Sequence, residues 1–156
     1  MALTKQTIEG RIRSCTEALR DAGLRLTHQR LEVFREIART EEHPDVETIF
    51  HRVRARVPTV SLDTVYRTLA LLEKRGLITR MDALSGRARY DANTDPHHHF
   101  MCVECGLTRD VSDKALDELP APASAQELGA VQSTHVQFRG VCSKCAARKR
   151  RRKKGR

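Results

Sequence analysis

An α+β fold in two parts is predicted: a winged helix-turn-helix at the N-terminus, then a small α+β domain. Three observations predict it. Apolar residues recur at helical spacing as far as the "LLEKRGLI" segment. After Pro96 the pattern changes to short alternating stretches. Two C-x-x-C pairs, Cys102/Cys105 and Cys142/Cys145, bracket the second half, which is too small for a secure aliphatic core without a metal or a partner chain.

The elements follow in order. Thr4–Ala22 places Ile8, Ile12, Cys15 and Leu19 on one helical stripe, and Gly23 ends it. Thr27 caps a second helix with Leu31, Phe34 and Ile37 facing inward. A third begins at "HPDVETIF", with Pro44 in the first helical position and Val46, Ile49, Phe50 and Val53 buried; Pro58 ends it. Ser61 caps a fourth, "SLDTVYRTLALLEKRGLI", with Leu62, Val65, Leu69 and Leu72 inward and Gly76 as its stop. "LITRMDALSGRARYD" alternates around a Ser-Gly turn and reads as a hairpin. Helices two to four plus that hairpin make the winged helix pattern. The boundaries expected are 1–91 for this domain, 92–96 for a polar hinge, 97–147 for the second domain and 148–156 for a disordered basic tail. Strands are expected at "HFMCVE", "LTRDV" and "VQSTHVQFRGV", with a short helix near Ser112–Glu118 and a Pro/Ala loop after it.

The net charge of +9 is unevenly spread. Residues 1–91 carry 17 basic against 13 acidic residues, and residues 92–147 carry 4 against 7. The tail "RKRRRKKGR" carries eight basic residues and no acid. Like charges and the lack of an apolar face predict disorder there. The tail reads equally as a solubility element or as non-specific DNA affinity. No apolar run approaches a membrane span of ~20 residues, and the N-terminus has no signal-peptide core. A cytoplasmic protein is expected, so five cysteines argue for metal or free thiols before disulfides.

The fourth helix has an unusual free face. Asp63, Tyr66, Arg67, Ala70 and Lys74 lie opposite its apolar stripe, where a structural helix would carry mostly Glu and Lys. Tyr66, Arg67, Thr64 and Ser61 are the candidate DNA contacts, since Tyr meets thymine methyls and Arg takes guanine or phosphate.

The two C-x-x-C pairs, 36 residues apart, supply four thiolates, a closed tetrahedral set for Zn(II). A redox C-x-x-C would need one motif in a thioredoxin-like setting, and none is visible. "HHHFMC" sorts by strand parity. His97 and His99 share a face with Met101, and His98 lies on the other with Phe100 and Cys102. The histidines at 97 and 99, beside Asp91 and Asp95, are candidates for a second metal, with His98 a bystander.

The segments "GLRLTHQR", "HPDVETIF", "SLDTVYRTLALLEKRGLI", "RARYD", "HHHFMCVECG" and "GVCSKC" together resemble the ferric uptake regulator (Fur) family of metal-dependent repressors, over about residues 5–146. That resemblance implies a winged helix, a hinge and a dimerisation domain, acting as a homodimer on double-stranded DNA, with structural zinc on the four cysteines. It also implies a regulatory metal, Fe(II) or Mn(II), with Zn(II) a further option, on His43, Asp91, His97, His99 and Asp110. Aspartates at 91 and 110 resemble the peroxide-responsive repressor (PerR) branch, in which iron-dependent oxidation of a ligand histidine, here His43 or His97, releases DNA. Iron-uptake control, and after it zinc-uptake control, are the alternatives. A third metal site on Asp117 or His98 is weakened because Thr134 stands where many members have histidine, and His135 is one residue off. An enzyme is not expected: the thiolate site is closed and no activated nucleophile pattern occurs.

Overall fold

The computed structural model describes residues 3–82 and 86–154. The chain divides into two compact units, Met1–Thr94 and Asp95–Arg156. That division falls inside the polar stretch 92–96.

Unit one holds four helices and a hairpin: α1 (Lys5–Asp21), α2 (His28–Ala38), α3 (Val46–Arg54), α4 (Leu62–Lys74), β1 (Thr79–Asp82) and β2 (Ala88–Asp91). The capping residues set these bounds. Thr4, Thr27, Asp45 and Ser61 each accept a hydrogen bond from the backbone N–H three residues on. Pro44 therefore sits one residue before the α3 cap instead of inside the helix, because the Asp45 carboxylate is the better acceptor for the Thr48 N–H at 2.8 Å. Gly76 ends α4 at φ 66°, with Leu77 N–H donating to Leu72 O, a left-handed cap that needs no Cβ.

The core of this unit is aliphatic: Val33, Ile37, Ile49, Val53, Val65, Leu69 and Leu72 are almost wholly buried. Leu62 departs from its expected stripe. It is exposed at the first turn of α4, and Thr68 takes the inner position, its hydroxyl bonded to Thr64 O. Polar groups also lie inside. Arg56 reaches Glu32 at 3.0 Å and Glu36 at 2.7 Å, which fastens the end of α3 to α2. Burial pushes the Glu32 carboxyl up, but hydrogen bonds and charge from Arg35 and Arg56 outweigh it and leave it below the ordinary range. β1 and β2 pair antiparallel with Thr79 opposite Asp91. Residues 83–85, including the serine of the expected turn, lie outside the described residues; Gly86 has φ 73°.

Unit two holds β3 (His98–Cys102), β4 (Thr108–Val111), α5 (Lys114–Asp117), α6 (Ala123–Gln126), β5 (Gln137–Gly140) and α7 (Ser143–Lys154). The sheet order is β4-β3-β5, with β3 antiparallel to β4 and parallel to β5. Three expectations change here. The last strand is confined to Gln137–Gly140, and 131–136 is irregular, so strand parity says nothing about Thr134 or His135. The Pro/Ala loop contains α6. Residues 148–154 are helical and continue α7, where disorder was expected. That helix starts on the second C-x-x-C, whose turn supplies the costly nucleus and leaves only propagation to the tail. No helix among the described residues is long and apolar enough to cross a membrane.

Candidate metal centres and nucleic-acid face

Strand register builds the cysteine cluster. Cys102 ends β3 opposite Gly140 of β5, so the second C-x-x-C begins beside the first. A Cβ on Gly140 would stand 3.1 Å from the Phe100 ring, which explains glycine at this close approach. The first knuckle closes by Gly106 N–H to Cys102 O at 2.9 Å, with Gly106 at φ 70°. All four Sγ atoms lie within 4.8 Å of one another, and Cys105 and Cys142 are 3.8 Å apart. A tetrahedral ion with metal–sulfur bonds of about 2.3 Å would set its sulfurs about 3.8 Å apart, so the cluster fits Zn(II). The Cys142 backbone N–H, 3.3 Å from Cys102 Sγ, holds that thiol down at about 6. Hydrogen bonding with Cys105 pushes Cys145 up to about 12. One thiolate thus forms readily, and an ion displaces the remaining protons. Cys15 is different: it is isolated in the α1 stripe, and burial alone pushes it to about 12.

The histidine and carboxylate candidates divide between the units. In unit one, His43 and Asp91 are both buried, with His43 Nε2 3.3 Å from Asp91 Oδ2. His43 has φ 50°, a left-handed conformation that costs a non-glycine residue ~1–2 kcal/mol. Arg89 holds it there. Its guanidinium donates to His43 O at 3.0 Å and Glu42 O at 3.3 Å, and Tyr90 N–H donates to Pro44 O. Arg89 and Asp91 alternate onto one face of β2, so one strand fixes both the loop backbone and the carboxylate that meets its imidazole. Arg89 was missed in the sequence, although its i, i+2 relation to Asp91 in "RARYD" was a usable signal.

In unit two, His99 pairs across the sheet with Asp110. His97 Nε2 and His99 Nε2 are 2.9 Å apart, and Asp110 Oδ1 lies 3.9 Å and 3.8 Å from them. His97 Nδ1 is 2.7 Å from Asp95 O; donation to that carbonyl makes Nε2 the lone-pair nitrogen, as a metal ligand requires. Two imidazoles and one carboxylate converge here, a mixed nitrogen and oxygen donor set that suits Fe(II), Mn(II) or Zn(II). His98 lies apart from this set. Its Nδ1 accepts from Val136 N–H at 3.0 Å, and its Nε2 faces Asp117 Oδ1 at 3.2 Å. It ties β3 to α5 and to the entry of β5, so it has a structural job the bystander reading did not give it.

On α4, Tyr66 and Arg67 are exposed, and Arg67 pairs with Asp63 at 2.9 Å. Ser61 and Thr64 are engaged with each other: Ser61 Oγ accepts from Thr64 N–H, and the two hydroxyls lie 2.9 Å apart.

A winged helix joined to a unit bearing a four-cysteine centre and a histidine–carboxylate cluster defines a class: metal-binding, DNA-binding regulators. The chain belongs to the ferric uptake regulator family, whose model matches residues 21–139. It is a metal-responsive transcriptional regulator, not an enzyme. The chain is 28% identical over 147 residues to the peroxide-responsive repressor PerR of Staphylococcus aureus (strain Mu50), covering 93% of this chain and 98% of that protein. Among solved structures, the ferric uptake regulator Fur of Helicobacter pylori superposes with a TM-score of 0.73 at 24% identity, covering 94% of this chain and 97% of that one. That likeness speaks to the fold. The Campylobacter jejuni peroxide stress regulator superposes with a TM-score of 0.67 at 27% identity, covering 86% and 98%.

Proposed function

We propose that this protein is a peroxide-sensing repressor that works as a homodimer on operator DNA in the cytoplasm. Zinc on Cys102, Cys105, Cys142 and Cys145 holds unit two together. His43 and Asp91 of unit one and His97, His99 and Asp110 of unit two take up one Fe(II) or Mn(II). Shared ligation fixes the angle between the units, so metal-binding energy is linked to the DNA-competent shape. Fe(II) held by these residues would supply the redox chemistry, a net two-electron oxidation in which hydrogen peroxide gives one oxygen atom to an imidazole carbon and leaves as water. His43 and His97 are the acceptors. Each is held by a neighbour, Arg89 through the His43 carbonyl and the Asp95 carbonyl through the His97 ring. An oxygenated imidazole no longer donates its lone pair, ligation fails and DNA is released.

The observation that carries this reading is the two-histidine, one-aspartate arrangement of His97, His99 and Asp110. Similarity to peroxide-responsive repressors over nearly the whole chain supports it. Exposed apolar residues support the homodimer. Val103, Leu119, Leu128, Val131, Phe138 and Val141 all belong to unit two, and Leu128 is 90% exposed. Among the described residues of unit one, the exposed large apolar residues are Leu62 and Tyr66, both on α4, the helix that carries the candidate DNA contacts. The test is mass spectrometry of protein expressed aerobically with iron. A histidine peptide heavier by one oxygen is expected at position 43 or 97. Its absence, with metal-dependent DNA binding intact, would make this an iron-uptake repressor.

A further inference from the structure

We propose that α7 is a second DNA-backbone contact, a phosphate-binding arm built on the cysteine centre and separate from the winged helix. The proposal rests on the reading that unit one binds DNA. Eight of the twelve residues of α7 are Lys or Arg, and none is acidic. Its base is fixed: Ala146 N–H donates to Cys142 O at 2.9 Å, and Lys149 Nζ pairs with Glu104 Oε1 at 2.7 Å. Beyond Lys149 the character changes. Arg150, Arg151 and Arg152 are exposed and form no ion pair among the described residues.

A helix of this composition is unfavourable by itself. Lys144 and Arg148, and Arg148 and Arg152, are like charges at i, i+4, and each pair opposes the helix. The helix dipole favours cations in the last turn, but it acts only there. A polyanion removes the repulsion. Consecutive residues rise about 1.5 Å along a helix, and duplex DNA carries one negative charge per about 1.7 Å of axis. The charge densities are closely matched. Arginine predominates over 148–152, and its planar fork suits phosphate oxygens. After Ala147 the helix has no apolar residue to enter a bilayer, so duplex DNA is the better partner than a lipid surface. Covalent attachment to a DNA-binding unit raises the local concentration of DNA around α7 without further contacts.

The experiment uses full-length, zinc-loaded protein and random-sequence duplex DNA across a salt series. The variant Arg150→Gln/Arg151→Gln/Arg152→Gln removes three charges per chain and keeps good helix formers. The slope of log affinity against log salt should flatten by roughly 2–3 per chain if each arginine meets a phosphate. Affinity at low salt should fall at least ~10-fold. Zinc content and oligomeric state should not change. Replacing the same three residues with Lys should restore the slope; failure to restore it overturns the electrostatic account. An unchanged slope in the Gln variant also overturns the proposal and leaves the arm as a solubility element. Loss of binding to phosphatidylserine vesicles with DNA binding intact reassigns it to membranes. Tyr66→Ala/Arg67→Ala is run in parallel. If that pair has no effect while the Gln variant does, the winged-helix reading has failed and the arm stands.

Discussion

Arg89 shows how much of a candidate metal half-site depends on groups outside the candidate ligand set. It keeps His43 in a left-handed conformation by holding two carbonyls, while Asp91, two residues on, meets the imidazole. Arg89→Gln should weaken regulatory-metal affinity about 10–100-fold, as loss of an outer-shell partner commonly does, with zinc unchanged. Calorimetric Mn(II) titration of zinc-loaded protein checks this; unaltered affinity would leave Arg89 a fold residue only. Asp110→Glu tests the sensing chemistry. Both side chains offer carboxylate oxygen, so metal-dependent DNA binding should persist. The extra methylene should crowd the position where peroxide meets the metal, and histidine oxidation should slow. His97→Ala should abolish metal-dependent DNA binding even without peroxide. Glu32 tests stability. Its folded pKa is depressed, so its contribution is present above the ordinary carboxylate range and lost as pH falls through the lowered value. Glu32→Gln should cost about 1–3 kcal/mol at neutral pH. Melting curves of the two proteins should converge as pH falls through that lowered value.

Among the elements, capping was the most legible part of the sequence. Thr27, Ser61, Gly23 and Gly76 carry local chemistry that decides where a helix starts or stops, and the helices obey it. Asp45 displaced Pro44 because a carboxylate acceptor outweighs a merely tolerated ring. The irregular 131–136 stretch was not legible, since apolar alternation alone does not supply a strand with a partner. The helical tail was not legible either: local repulsion argued for disorder, and the nucleus that overcomes it lies in the preceding knuckle. The grouping of the four cysteines was readable from spacing. The structural job of His98 was not, because its partner Val136 lies 38 residues away. At this scale the cysteine centre is the element to break. Cys142→Ser should lose zinc and the dimer together, because binding energy at such a site is largely folding energy. A zinc-free dimer on sedimentation analysis would contradict that.

The proposed function joins two binding equilibria, for metal and for DNA, in one molecule. If metal tightens DNA binding by some factor, DNA must tighten metal binding by the same factor. On the proposed function, peroxide ends the coupling by removing a ligand. The candidate ligands are divided between Met1–Thr94 and Asp95–Arg156, so on that proposal a change at one imidazole has a consequence for the other unit. The most direct measurement is DNA release after a peroxide pulse, with Fe(II)-loaded and Mn(II)-loaded protein on the same operator fragment. The Fe(II) protein should release DNA while His43 or His97 gains one oxygen, and the Mn(II) protein should stay bound. Fe(II) protein that remains on DNA with both histidines unmodified would contradict the account.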